Sequence, residues 1–144
     1  GPTIVYKAFL RGTYPMADNR GDRMTLGAGR VVRLGTYGDP AAIPSWVWDQ
    51  LLTSCATHLA YTHQSGFRPD IAMQSADTEA QAVAHWNNGR RTFRVITDLG
   101  DIVKGKEILC PASKEAGRRG QCNACKLCGG NSTNSPKSIA IVQH

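Results

Sequence analysis

Four of the five cysteines, Cys110, Cys122, Cys125 and Cys128, lie within nineteen positions, and the last three repeat at a strict three-residue step. Two-residue gaps let successive thiolates turn inward around a common centre. The eleven-residue gap after Cys110 lets a fourth return from a separate element. Thiolates are soft ligands, so the chemistry narrows to an iron–sulfur cluster or zinc. The fifth cysteine, Cys55, has no motif spacing to the others and reads as a small buried hydrophobe.

Structural zinc sites usually pair their ligands as two knuckles, because four ligands must reach tetrahedral corners. Here the pattern is three plus one. A Cys-x2-Cys-x2-Cys run resembles the start of a bacterial ferredoxin motif, although there the Cys-Pro comes last, whereas Cys110-Pro111 comes first here. A [4Fe–4S] cluster held by Cys110, Cys122, Cys125 and Cys128 is the leading reading. Structural zinc is the second and disulfides or free thiols the third. A disulfide framework needs an oxidising compartment. Residues Gly1 to Tyr14 contain no apolar run suited to a secretory signal, and no stretch nears the roughly 18 apolar residues of a membrane span. The expectation is a reducing cytoplasm and no membrane partner, with the oligomeric state left open.

The 144 residues suffice for one domain with a proper core, so residues 1–144 are expected to form a single unit that includes the Cys-rich segment 110–128. A net charge of +6 favours contact with nucleic acid or another polyanion. Arg90, Arg91, Arg94, Arg118 and Arg119 are the candidate phosphate contacts. Lys114, Arg118 and Arg119 fall between the first two cluster cysteines, where cations would equally offset the negative charge of a thiolate-bound metal.

Those residues need a frame. Thr3 to Leu10 suits a strand or a short helix, and Arg11 to Gly29, rich in Gly, Asp, Asn and Arg, suits an exposed loop. Gly27-Ala28-Gly29 lacks the further glycine or lysine of a phosphate loop. Arg30 to Thr36 is a strand candidate ended by Gly38-Asp39 and Pro40. A helix follows, with Ser45 as N-cap and Trp48, Leu51, Leu52 and Cys55 on one face. His58 to His63 and Ile71 to Ser75 read as strands. Asp77 or Thr78 then caps a second helix, with Gln81 completing a capping box, Ala80, Val83, Ala84 and Trp86 inward, and Gly89 as the stop. Thr92 to Ile96, Glu107 to Cys110 and Ser138 to Val142 complete the strands, and Gly129 to Lys137 is a flexible polar link.

Strands alternating with helices point to a parallel α/β sheet with right-handed crossovers. With only two good helices for five or six strands, the expected form is a partial, half TIM-like barrel with a C-terminal Cys-rich loop. Function would gather at the carboxyl ends of the strands: Asp39, Tyr61, Thr62, His63, Asp77, Asp98, Cys110 and His144. The metal would then sit in the mouth of the sheet, with Asp39 and His63 as candidate catalytic acid and base, and with Tyr61 and Asp77 nearby. Each has a plainer role: a turn for Asp39, the surface for His63, the core for Tyr61 and a cap for Asp77.

The stretches RVVRLGTYGDPAAIP, LAYTHQ, WNNGRRTFRVI and CPASKEAG…CNACKLCGG together resemble a group of small phage and prophage proteins of unknown function, over nearly the whole chain. That group is similar, more distantly, to the partial barrels around the radical S-adenosylmethionine superfamily. The resemblance implies a partial α/β barrel, an iron–sulfur cluster, and a bacteriophage protein working in the cytoplasm of an infected bacterial host; it implies no particular reaction. Members often begin with a further cysteine-bearing segment that does not precede Gly1 here, and whether upstream residues complete the site is left open. Radical enzymes of that superfamily use Cys-x3-Cys-x2-Cys near the start of the barrel and leave one iron open. Four cysteines at the other end of this chain leave no such vacancy. The expected function is therefore that of an iron–sulfur protein with a structural, redox or electron-transfer role. The alternative is a basic nucleic-acid-binding protein with a structural zinc site.

Overall fold

The computed structural model describes residues 2–133 and 135–143; His144, counted among the strand ends above, lies outside them. Seven strands are all paired in parallel: β1 (Val31–Arg33) with β2 (Thr57–Leu59), and, in the order β3-β4-β5-β7-β6, β3 (Tyr61–Thr62), β4 (Met73–Ala76), β5 (Thr92–Ile96), β7 (Ser138–Val142) and β6 (Glu107–Leu109). Only Ala60 separates β2 from β3, so the two sheets share one chain path. No strand closes the set into a barrel among the described residues. The fold is thus mixed α/β, mostly parallel, with few helices.

Side chains alternate across a strand, so register fixes which residues share a face. Leu59, Tyr61, Met73, Phe93, Ile108 and Ile139 lie on one face, and Ala60, Thr62, Gln74, Thr92, Arg94, Ala140 and Glu107 on the other. The helices take the second face. Helix α3 (Ser45–Leu52) packs Trp48, Leu51 and Leu52 against Leu34, Ala60, Ile71 and Ala72. Helix α4 (Glu79–Asn87) sends the Trp86 indole N–H to the hydroxyls of Thr92 and Ser138, at 3.0 and 2.9 Å. Beside them the Arg94 guanidinium grips the Glu107 carboxylate through two bonds of 2.9 and 2.7 Å, both side chains almost wholly buried.

The last connection is different. Steps from β1 through β5 move across the sheet in one direction, and β5 to β6 jumps past the place that β7 fills. From β6 the chain turns back, so a right-handed crossover must use the face opposite the helices. That crossover is the Cys-rich segment.

Several sequence expectations need correction. Of the two forms left open for Thr3 to Leu10 the helix is found, α1 (Pro2–Leu10), which buries none of its side chains. The expected loop contains helix α2 (Arg20–Gly27), whose N-cap Asn19 accepts the Asp22 N–H at 2.9 Å. It docks on α3 because Gly27 has no Cβ; one there would lie 2.0 Å from the Leu51 carbonyl. Pro44, without a side-chain bond, occupies the N-cap position assigned to Ser45. In α4 Thr78 does cap the Gln81 N–H, but Gln81 answers to the Asp77 N–H, and Ala82 and Trp86 face inward while Ala80, Val83 and Ala84 are exposed. Gly89 is left-handed as expected, φ +69°. The polar link after Cys128 carries a 3-10 turn, Gly130–Ser132, with both Gly129 and Gly130 buried.

Candidate metal centre

Strand β6 delivers the first cysteine. The Cys110 N–H still bonds the Ala140 carbonyl of β7 at 2.8 Å, after which Pro111 has no donor to continue the ladder. The chain then leaves the sheet and returns: the Gly120 N–H bonds the Pro111 carbonyl at 3.0 Å, closing a loop just before the second cysteine. Cys122–Cys125 form a single helical turn, α5, ended by Lys126 in the left-handed conformation, φ 57°. This turn puts two cysteines one helical step apart and reverses the chain toward the third.

Cys128 is fastened to the sheet itself. Its carbonyl accepts the Ala60 N–H at 2.9 Å, at the break between β2 and β3. The following glycines allow that approach: a Cβ on Gly129 would lie 2.9 Å from the His58 carbonyl, and one on Gly130, φ +61°, would lie 2.4 Å from the Pro69 carbonyl. Arg91, buried at the start of β5, holds the segment from below. Its guanidinium donates to the carbonyls of Leu127 (2.9 Å), Gly130 (2.6 Å) and Lys137 (2.9 Å), and to the Thr133 hydroxyl.

All four cysteines line one small chamber, floored by Leu59, Tyr61 and Ile139 of the first face and walled by Pro111, Ala112 and Leu127. Cys122 is exposed, and the other three are half-buried. The chamber has a volume of about 20 Å³, room for a water-sized particle. Among the described residues, no three His, Cys, Asp or Glu side chains are arranged to hold one metal ion. A single tetrahedral zinc would need its sulfurs about 3.8 Å apart. A four-iron cluster lies between its ligands and holds them farther apart.

Burial and neighbouring thiols push the Cys128 thiol up to about 11, against the hydrogen bond it receives from the Tyr61 hydroxyl. Cys110 is likewise raised, by burial first and then by Cys122 and Cys125. The Tyr61 phenol is driven strongly upward, again by burial before Cys128. The Arg91 cation is disfavoured by burial and favoured by the charge of Cys128. As free thiols these groups stay protonated at neutral pH. A metal reverses that, because ligation stabilises thiolates and expels protons.

The cysteine chamber therefore lies on a face of the sheet, where the right-handed return puts it, and not in the mouth at the strand ends. Asp39, His63 and Asp77 line a separate cleft of about 400 Å³ that shares Tyr61 with the chamber. The Asp39 carboxylate is a brace: it accepts from the Thr62 hydroxyl at 2.6 Å and from the N–H groups of Ala41 and His63 at 2.9 Å. Those bonds outweigh a large opposing effect of burial and hold it below its ordinary pKa. The His63 ring lies toward Asp77, at 3.9 Å, both well exposed. Two of the candidate phosphate contacts are spent internally, Arg91 on the Cys-rich segment and Arg94 on Glu107. Arg90 is half-buried against the Phe67 carbonyl at 2.8 Å, and Arg118 and Arg119 are exposed. Sequence reasoning missed Arg91, Ala60 and the Gly129-Gly130 pair as parts of the site. The glycine pair directly after the last cysteine was the one signal available. Comparison with protein-family models, curated proteins and solved structures yields no match.

Proposed function

We propose that this chain is an iron–sulfur protein holding one [4Fe–4S] cluster through Cys110, Cys122, Cys125 and Cys128, with electron transfer as its role. The reading rests on one observation: four cysteines from two separate elements line a single apolar chamber. Their softness and their three-plus-one spacing suit iron and sulfide. Such a cluster would supply one-electron redox chemistry. The surrounding residues have matching parts. Leu59 and Ile139 give the chamber an apolar floor, and the Tyr61 hydroxyl and the buried Arg91 cation both lie within electrostatic reach of the Cys128 sulfur. Hydrogen bonds and charge next to the sulfurs are the levers that set the potential of such centres.

The open sheet, with helices on one face and the cysteines on the other, is read as a half barrel whose inner face carries the centre. The protein is read as phage-associated and acting in the cytoplasm of an infected bacterial host, on the sequence resemblance alone. A structural zinc in a basic nucleic-acid-binding protein is the second reading, favoured by the small size of the chamber. It retains Arg118, Arg119 and the half-buried Arg90 as phosphate contacts.

Anaerobic purification followed by iron, sulfide and zinc analysis tests the choice. About four irons and four sulfides per chain with a brown colour are expected. One colourless zinc per chain would transfer the site to the second reading.

A further inference from the structure

One cation lines the cysteine chamber, and three more are carried by the loop that leads from Cys110 to Cys122. Lys126 lines the chamber itself, between Cys125 and Cys128, and Arg119 lies beside Pro111, which forms part of the chamber wall. Lys114, Arg118, Arg119 and Lys126 are all exposed, as is Cys122. The exposed cysteine thus lies within a stretch of chain, closed by Lys126, that carries four exposed cations. Two of these cations also sit in the left-handed backbone region, Arg118 at φ 50° and Lys126 at φ 57°, and they are the only non-glycine residues there among the described ones. Glycine or asparagine enters that region at lower cost. The loop therefore places charge where conformation alone would favour a smaller residue.

From this we infer that the surface formed by Lys114, Arg118, Arg119 and Lys126 around Cys122 is the docking site of an acidic one-electron carrier protein. The inference rests on the redox reading above and adds the partner to it. One electron passes between the carrier and the centre, one side oxidised as the other is reduced, with no bond made or broken. Transient redox partners use small interfaces, and complementary charge raises their encounter rate more than their affinity. A nucleic acid fits this surface less well. Arg91 and Arg94, the other candidate phosphate contacts, are buried and spent on internal bonds, which leaves few free cations for a phosphate track.

The test uses anaerobically prepared protein of known iron content. Oxidation of the dithionite-reduced form is followed with anionic ferricyanide and with cationic hexaammineruthenium(III) across a salt series. Calorimetry then measures binding of poly-L-glutamate and of a short duplex DNA. Wild-type protein is expected to favour the anionic oxidant, after correction for driving force, by about tenfold or more at low salt, with the preference fading as salt rises. It is also expected to bind poly-L-glutamate. The variant R118N/R119Q leaves the chamber lining untouched and keeps a residue at 118 that tolerates the left-handed conformation, and should lose most of both effects with its iron content unchanged.

Salt-independent rates in an iron-loaded protein would overturn the docking site alone. So would a variant whose potential shifts while its preference for the anionic oxidant stays, since the cations would then only compensate the centre's charge. Tighter binding of duplex DNA than of polyglutamate would assign the surface to nucleic acid and overturn it too. Absence of iron would remove the redox reading and this inference with it.

Discussion

The two faces of this sheet are stabilised in different ways. The helix-covered face is sealed by Trp48, Leu51 and Leu52 against a buried apolar cluster, by the Trp86 indole, and by the enclosed Arg94–Glu107 pair. Its order is complete without any added group. The cysteine-covered face has one helical turn, a small chamber and a loop pinned at its two ends, by Cys110 on β7 and by Arg91 beneath Cys128. Packing builds the first face; the second gathers four cysteines around one small chamber. The contrast separates the scaffold of this protein from its candidate site.

Experiments on each face sharpen that contrast, beginning with the one expected to cost most. Glu107→Ala strands the buried Arg94 cation and should lower unfolding stability by about 3–5 kcal/mol in a denaturant titration, with the metal-to-chain ratio of the folded fraction unchanged. Arg91→Ala removes bonds to three carbonyls of the Cys-rich segment. It should cost about 2–3 kcal/mol and, unlike the first variant, lower metal content in the folded fraction. If both variants lost metal equally, the two faces would not be separable. Removing metal with a chelator should open residues 111–127 to proteolysis while amide protection in β4 and β5 persists.

Smaller effects come from the cleft and from the tyrosine that joins it to the chamber. Asp39→Ala should cost about 1 kcal/mol at neutral pH. The carboxylate's folded pKa is depressed, so its contribution is present above the unfolded value, near 3.8, and is lost as pH falls through the folded one. Thermal melts of wild type and variant should therefore converge in acid. Equal differences at all pH values would show that Asp39 acts by packing instead. Tyr61→Phe should leave metal content and stability almost unchanged. It should shift the midpoint potential measurably, since it deletes only the hydroxyl bonded to Cys128.

The gathering of four cysteines was legible because their spacing is a local property, and β5 and β7 because five-residue runs rich in β-branched and apolar residues carry their own pattern. Helix α2 was hidden by its polar composition: its order comes from the Asn19 cap and from Gly27 against α3, and the second is a tertiary contact. Arg91 and Arg94 looked like surface cations because a charged residue reads as exposed until its partners are known, and these lie 7 to 46 positions away. The position of the cysteine chamber on a face, and not at the strand ends, depended on β7 slipping between β5 and β6. No local pattern announces that insertion, yet once it is known the handedness of the return decides the face.

At Ala60 the sheet gives up one rung of its ladder, and the carbonyl of Cys128 takes that place. A disturbance of the sulfur donors is thereby transmitted into the middle of the scaffold, where β2 meets β3. Hydrogen–deuterium exchange at this one amide becomes an internal gauge of the loop: slow while the donors are held, quick once they let go, and readable without any knowledge of what they hold.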